Sequence, residues 1–533
     1  MPGRKRRREE DAAQEQPGEA SGGGASSGAQ EDSGSGGASV GAQEDSRTCT
    51  IVPAGGGAGA ASQESLSCWV CLDVQGRPTR SRRLELVRAC ACRGSSGWAH
   101  MGCLISVAKH NVRQWQQCPT CKQAYTGKVL LGLAQARFDL HRSAERDDPR
   151  RLDACQGLAI AQQQMGQYRA ARPLLEQVVE SDIRMRGPND RIALNSKCNL
   201  ALVLQETGER GAAKALFEEI IAVETELLGP KHLETLKTKC VLGGLLQQME
   251  HWEQARTLYT EAIEEQEKQL GKSHTAVHAT KGNLSALLHE MGDLSGSRKL
   301  LEGVVKQMTA QLGPTHLDTL AFKGNLALLL KDMGKLQQAR AMLEEVIAAQ
   351  TSQLGASHVS TLANRSNLAG MIRVTGGRTE ALNMYESVIV AQMAQLGPAH
   401  ADTLRSRSNL AGFMGEAGDP SALGIMEEVI ALQEVHCGEK HTDTLVSRGN
   451  HAELRVLTGV DLDAAGTALE SVIASLREQT KEIDINVLYF RSALALLWQK
   501  QGKVKQAEAV YREVLVSGAT VGLGCDCHVL PSL

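Results

Sequence analysis

At 533 residues the chain is too long for a single hydrophobic core, which leaves several domains or an extended repeat array. Its 58 Lys and Arg nearly balance 61 Asp and Glu, a net charge of −3, so overall charge gives no attraction for nucleic acid or an acidic membrane surface and no direct nucleic-acid binding is expected. No run of about 18 apolar residues occurs and the first eleven residues are charged, so neither a membrane span nor a secretory signal is expected.

In chain order, residues 1–64 are dominated by Gly, Ser, Ala, Gln and Glu, with almost nothing apolar to offset the entropy of ordering, and are expected to be disordered. Within them Arg4-Lys5-Arg6-Arg7-Arg8 is a compact basic run, read either as a nuclear import signal or as a solvated tail. The expected location is cytoplasmic, with the nucleus open through that run.

Residues 65–127 hold eight metal-ligand side chains in four close pairs: Cys68/Cys71, Cys90/Cys92, His100/Cys103 and Cys118/Cys121. Half of the chain's 14 cysteines fall here, and in a reducing compartment clustered thiols hold metal rather than pair as disulfides. Eight ligands in short pairs separated by long loops suit two tetrahedral zinc ions. Four protein ligands on each ion leave no open position, so both zincs are expected to be structural and no residue of the chain is expected to be catalytic. Between the pairs, five arginines from Arg77 to Arg88 could steer an acidic partner or form a solvated loop. The spacing C-x2-C-x18-C-x-C-x7-H-x2-C-x14-C-x2-C resembles the RING-CH (RINGv) family of ubiquitin ligases, including Trp115 three residues ahead of Cys118. The PHD finger, a chromatin reader, has the same ligand types but a wider third pair and a shorter gap to the histidine.

The resemblance implies that Cys68, Cys71, His100 and Cys103 hold one zinc, and Cys90, Cys92, Cys118 and Cys121 the other. It further implies a ubiquitin-conjugating enzyme as partner, docked on Val70, Trp115 and Pro119, with Lys122 where related domains keep a basic residue; lysine lacks arginine's planar fork for that role. The ligase would act by positioning the partner's thioester. Local packing over the zinc loops is the alternative use of the three apolar side chains.

Residues 128–148 begin with apolar residues at helical spacing, Val129 to Arg142, expected to close the metal module and to cap the segment C-terminal to it. From 149 to 517 the chain repeats itself with a period of 42 residues, as in NLALVLQETG from Asn199, NLALLLKDMG from Asn325 and NLAGFMGEAG from Asn409. Each unit continues into a second helical segment with a small residue near its start, such as Ala171, Ala213 or Ala339. A Leu-Gly-Pro-x-His turn then separates repeats, in which Gly can end one helix and Pro help start the next. About nine helix pairs are expected, each burying its apolar face on its neighbours.

This pattern resembles the 42-residue tetratricopeptide repeats of kinesin light chains. The expected fold is therefore mainly α: a small two-zinc RING-CH domain followed by an all-α tetratricopeptide solenoid, with a disordered N-terminus and a C-terminal tail over 518–533. The resemblance implies a protein or peptide substrate bound in a concave groove. Asn199, Asn283, Asn325, Asn367, Asn409 and Asn450 recur at one helix position although Asn is a mediocre helix former. They face that groove or bond between adjacent repeats.

Two residues earlier, Lys197, Lys239, Lys281, Lys323, Arg365, Arg407, Arg448 and Arg491 form a basic series. At about 100° per residue the two rows lie about 200° apart and cannot share a groove, so the basic set is expected to pair with acids of the second helices, such as Glu219, Glu302, Glu345 or Glu428. The turn histidines, one per repeat, cannot assemble a metal shell and are expected to pack at helix starts. The function expected from both modules is a ubiquitin ligase whose zinc domain recruits a conjugating enzyme and whose solenoid selects substrate. A non-catalytic scaffold is the alternative, and a histone reader a more remote one.

Overall fold

The structure is a computed structural model describing residues 68, 70, 86–88, 98–120, 122, 124–479 and 485–520, all within one compact unit, Gly37–Leu533. The basic run Arg4 to Arg8, the arginine loop from Arg77 to Arg83 and the tail beyond 520 lie outside the described residues.

The N-terminal module opens with a two-stranded antiparallel sheet, β1 (Leu86–Arg88) and β2 (Trp98–His100), in which Val87 pairs with Ala99. It continues into α1 (Met101–His110), a 3-10 turn over Val112–Trp115, and α2 (Gly127–His141). Leu104, Ala108, Trp115, Tyr125, Val129 and Leu133 form one buried cluster with Cys68 and Cys118, so α2 belongs as much to this module's core as to the array behind it. The Met101 side chain lies over Gly132, where a Cβ would come within 2.8 Å of Met101 Cε.

Among the described residues eighteen further helices form nine pairs: α3 (Pro149–Gln164) with α4 (Tyr168–Arg186), α5 (Arg191–Glu206) with α6 (Arg210–Leu228), α7 (Leu233–Gln248) with α8 (Trp252–Leu270), α9 (Thr275–Glu290) with α10 (Leu294–Leu312), α11 (Leu317–Asp332) with α12 (Leu336–Leu354), α13 (Val359–Val374) with α14 (Arg378–Gln395), α15 (Ala401–Gly415) with α16 (Ser421–His436), α17 (Thr442–Thr458) with α18 (Leu462–Gln479), and α19 (Ile485–Lys500) with α20 (Val504–Thr520). None of the described helices is long and apolar enough to cross a membrane.

Small residues set the spacing within each pair. Ala159, Ala201, Ala327 and Ala369 on first helices are fully buried, as are Ala171, Ala213, Ala339 and Ala381 on their partners. With only a methyl group at each position the two backbones can approach closely, and larger side chains interlock on either side. The fourth pair uses Ser285 and Ser297 instead, buried and joined Oγ to Oγ at 2.8 Å.

Between repeats, Gly229 has a φ of 96° and its N–H donates to the Thr225 carbonyl at 3.0 Å, closing α6 in a backbone conformation that favours glycine. The residue that starts the next helix is the histidine, not the proline expected from the sequence. His232 Nδ1 accepts from the Glu234 N–H at 3.3 Å, and His274, His316, His358, His400 and His441 do the same two residues onward at 3.1 to 3.3 Å. In the first two repeats Asp148 and Asp190 fill this role. An imidazole with an unprotonated Nδ1 thus does what Asp, Asn, Ser or Thr ordinarily does at a helix start.

The first helices of neighbouring repeats approach one another directly, α3 with α5, α7 with α9, and α11 with α13 on through α19, while each second helix packs chiefly between the first helices that flank it. First helices therefore line the inner, shorter-radius side of the stack.

Candidate metal centre and solenoid inner face

The end of β2 delivers His100 directly into α1, of which it is the N-cap residue, and Cys103 comes within the first turn. Cys68 reaches the same point from the start of the module. The donor atoms of Cys68, His100 and Cys103 all lie within 4.8 Å of one another, with Cys68 and His100 buried. His100 Nδ1 and Cys103 Sγ are 3.8 Å apart, close to the roughly 3.6 Å that bonds of about 2.3 and 2.0 Å would give around a tetrahedral zinc. The His100 backbone N–H points at Cys68 Sγ at 3.4 Å, a contact that favours a thiolate. Two soft thiolates and an imidazole suit zinc. These are three of the four ligands that the RING-CH resemblance assigns to one ion. The fourth, Cys71, and three ligands of the second set, Cys90, Cys92 and Cys121, lie outside the described residues. Cys118 is buried in the module core and is not part of the three-residue group.

The residues expected to dock a conjugating enzyme are placed differently from one another. Trp115 is only 6% exposed, its ring turned into the module core, so the apolar anchor expected at the surface is instead a core residue. The physical reason is α2: its Val129 and Leu133 supply the apolar surface that the Trp115 ring covers. Val70 and Pro119 are half-buried. Lys122 is exposed with a φ of 61°, and its Nζ donates to the Pro119 carbonyl at 2.6 Å, which ties it to its own loop.

In the solenoid the basic row has the structural role expected. Lys197 Nζ meets Glu219 at 2.7 Å, Lys323 meets Glu345 at 2.6 Å, Arg407 meets Glu428 and Arg491 meets Glu513 at 2.7 Å, each joining a first helix to its own second helix. Three members depart: Lys281 pairs with Glu267 at 2.8 Å and Arg448 with Glu434 at 2.7 Å, both on the preceding helix, and Arg365 bonds to Ser387 Oγ at 3.0 Å, not to an acid. Glu302 is held by Arg298 within α10, not by the basic row.

The asparagines occupy the ninth position of α5, α9, α11, α13, α15 and α17. Asn283 and Asn409 are exposed, and Asn199, Asn325, Asn367 and Asn450 half-buried. Among the described residues none of these six side chains makes a hydrogen bond, so bonding between repeats is not what they do here. Gly157, Val241 and Ala493 stand at the same register in the first, third and ninth repeats and interrupt the row.

Stacked helix pairs of this kind define an α-solenoid, a class whose extended inner surface is built from one helix of every repeat. Part of the array matches the tetratricopeptide repeat family, over residues 190–268 and 276–352, and a second tetratricopeptide repeat description matches 488–513. Among solved structures the chain is similar to a Podosopora anserina protein with kinesin light chain nearly identical TPR-like repeats, at 28% identity over 38% of this chain and 97% of that one, TM-score 0.32. BtubC (BKLC) from P. vanneervenii matches at 20% identity over 42% of this chain and 90% of that one, TM-score 0.35. A Rap protein complexed with competence and sporulation factor matches at 11% identity over 69% of this chain and 98% of that one, TM-score 0.47. No curated protein matches the chain.

Proposed function

We propose that the chain is a protein-binding scaffold whose tetratricopeptide solenoid takes an extended protein segment along its inner face. The observation that carries this reading is the asparagine row: six amides on inner helices, at one register, none of which makes a hydrogen bond among the described residues. A peptide backbone offers the matching alternation of N–H and C=O groups. Replacing Asn325 and Asn367 with Ala is expected to weaken capture of protein partners about tenfold or more while leaving the far-ultraviolet circular dichroism unchanged. Unchanged capture would remove the row from recognition, and loss of helix content would make it structural.

A second reading, a ubiquitin ligase of RING-CH type, is favoured by the four-pair ligand spacing and by the convergence of Cys68, His100 and Cys103. In this reading two zinc ions serve as structural cross-links, one through Cys68, Cys71, His100 and Cys103, the other through Cys90, Cys92, Cys118 and Cys121. With Trp115 turned inward, Val70 and Pro119 are the apolar side chains left for a conjugating enzyme, with Lys122 beside them. The reading predicts zinc-dependent self-ubiquitination with purified conjugating enzymes, abolished by Cys68→Ser. A fully metallated protein that transfers no ubiquitin across a broad enzyme panel leaves the scaffold reading alone. Clustered thiols favour a reducing compartment, the cytoplasm, for either activity, with Arg4 to Arg8 serving as a nuclear import signal or as a solvated tail.

A further inference from the structure

The solenoid does not run on freely but meets itself. Lys128 Nζ, at the start of α2, donates to the Met393 carbonyl at the end of α14 at 2.9 Å, across 265 residues of sequence. Arg169 reaches the Glu434 carbonyl at 3.4 Å across the same separation, and Arg210 reaches Thr442 Oγ1 at 3.0 Å across 232 residues. Divided by a 42-residue repeat, these separations mean that the array comes round on itself after about six repeats. The turns at the C-terminal ends of α3 and α5 then lie against the turns that precede α15 and α17.

Two of the six capping histidines stand in this seam. The His400 ring lies against the Gln164 carbonyl, and the His441 ring against the Glu206 carbonyl. Since Nδ1 of each already accepts from its own helix, a neutral ring carries its proton on Nε2, the nitrogen available to donate across the seam. Both carbonyls sit at the last residue of a first helix. The seam is well packed: His400 and His441 side chains are 12% and 8% exposed, against 43% for His316, which caps its helix equally. Burial there also pushes the Cys437 thiol up to about 12.

We propose that His400 and His441 act as a latch, each joining the start of one first helix to the end of another a full superhelical turn away, and so hold the solenoid as a closed coil. Lys128, Arg169 and Arg210 complete the seam, and α2 carries the closure into the N-terminal module. The inference is independent of the partner proposed for the inner face, because it concerns only how the coil is held.

The test separates capping from latching. Asn at both positions keeps a good helix cap, as Asp148 and Asp190 provide in the first repeats, but is too short to cross the seam. The full-length His400→Asn/His441→Asn variant is expected to keep its helix content and to show a larger radius of gyration in small-angle X-ray scattering. His274→Asn/His316→Asn, at caps outside the seam, is expected to leave the radius unchanged. Should the first variant fail to fold, Lys128→Met/Arg210→Met removes seam bonds without touching any cap and is expected to expand the coil likewise. An unchanged radius in a folded seam variant, or an equal expansion in the His274/His316 variant, overturns the latch.

Discussion

Lys197 illustrates how a charge that reads as a binding residue can be a packing residue. Its side chain is 5% exposed, its stem lies between helices and its ammonium meets Glu219 at 2.7 Å and the Pro188 carbonyl at 3.2 Å. The carboxylate is half exposed, so the pair itself adds little to stability. The larger cost is an ammonium left without its carboxylate. Glu219→Ala is therefore expected to destabilise by about 1 kcal/mol, and Lys197→Met, which keeps the buried stem and removes the charge, by less. Urea unfolding of the two variants checks the order; a larger loss in Lys197→Met would mean that the ammonium contributes directly. The sequence already contained this answer in the 200° offset between the basic and asparagine rows. It did not contain Lys281 and Arg448, which pair backward because Glu267 and Glu434 lie within reach on the preceding helix.

At the scale of the element, the helix starts carry a pH dependence with a definite sign. A histidine that accepts a backbone N–H through Nδ1 must be neutral to do so. Burial holds His358, His400 and His441 below the ordinary value of 6.5. At His400 the groups that oppose or add to this are Asp402, Arg405 and the Gln164 carbonyl; at His441 they are Asp443, Arg210 and the Glu206 carbonyl, with Tyr168 and Cys437 beside them. A depressed pKa in the folded state gives stability that is fully present above 6.5 and is lost as pH falls through the folded values. The urea midpoint is expected to drop between pH 7.5 and pH 5, and to drop less in a variant carrying Asn at these three caps. An equal drop in that variant would assign the dependence to other groups. The first repeat behaves differently: Asp148 is held down to about 2 by its bonds to Arg150, so its cap survives well below pH 5.

At the scale of the whole molecule, the N-terminal module and the array stand in different relations to metal. The module's core is one small cluster around Cys68, Cys118 and Trp115, whereas each repeat draws its core from its neighbours. If the Cys68, His100 and Cys103 group holds zinc as proposed, chelation is expected to abolish the near-ultraviolet circular dichroism of the packed Trp115 and to remove only a small share of the helical signal. Collapse of the entire helical signal would show that the array depends on its cap.

The period, the helix pairs, the small residues between paired helices and the role of the basic row were all legible in the sequence, because each depends on neighbours within one or two repeats and recurs often enough to be read. The assignment of Cys68, His100 and Cys103 to one ligand set came from the RING-CH resemblance alone; their donor atoms lie within 4.8 Å of one another. The turn histidines, expected at helix starts, do cap them, through contacts only two residues long. Two features were decided only by tertiary structure. Trp115 turns inward because α2 folds back over it. The seam exists because small rotations between repeats add up over about six of them, and no local pattern records that sum.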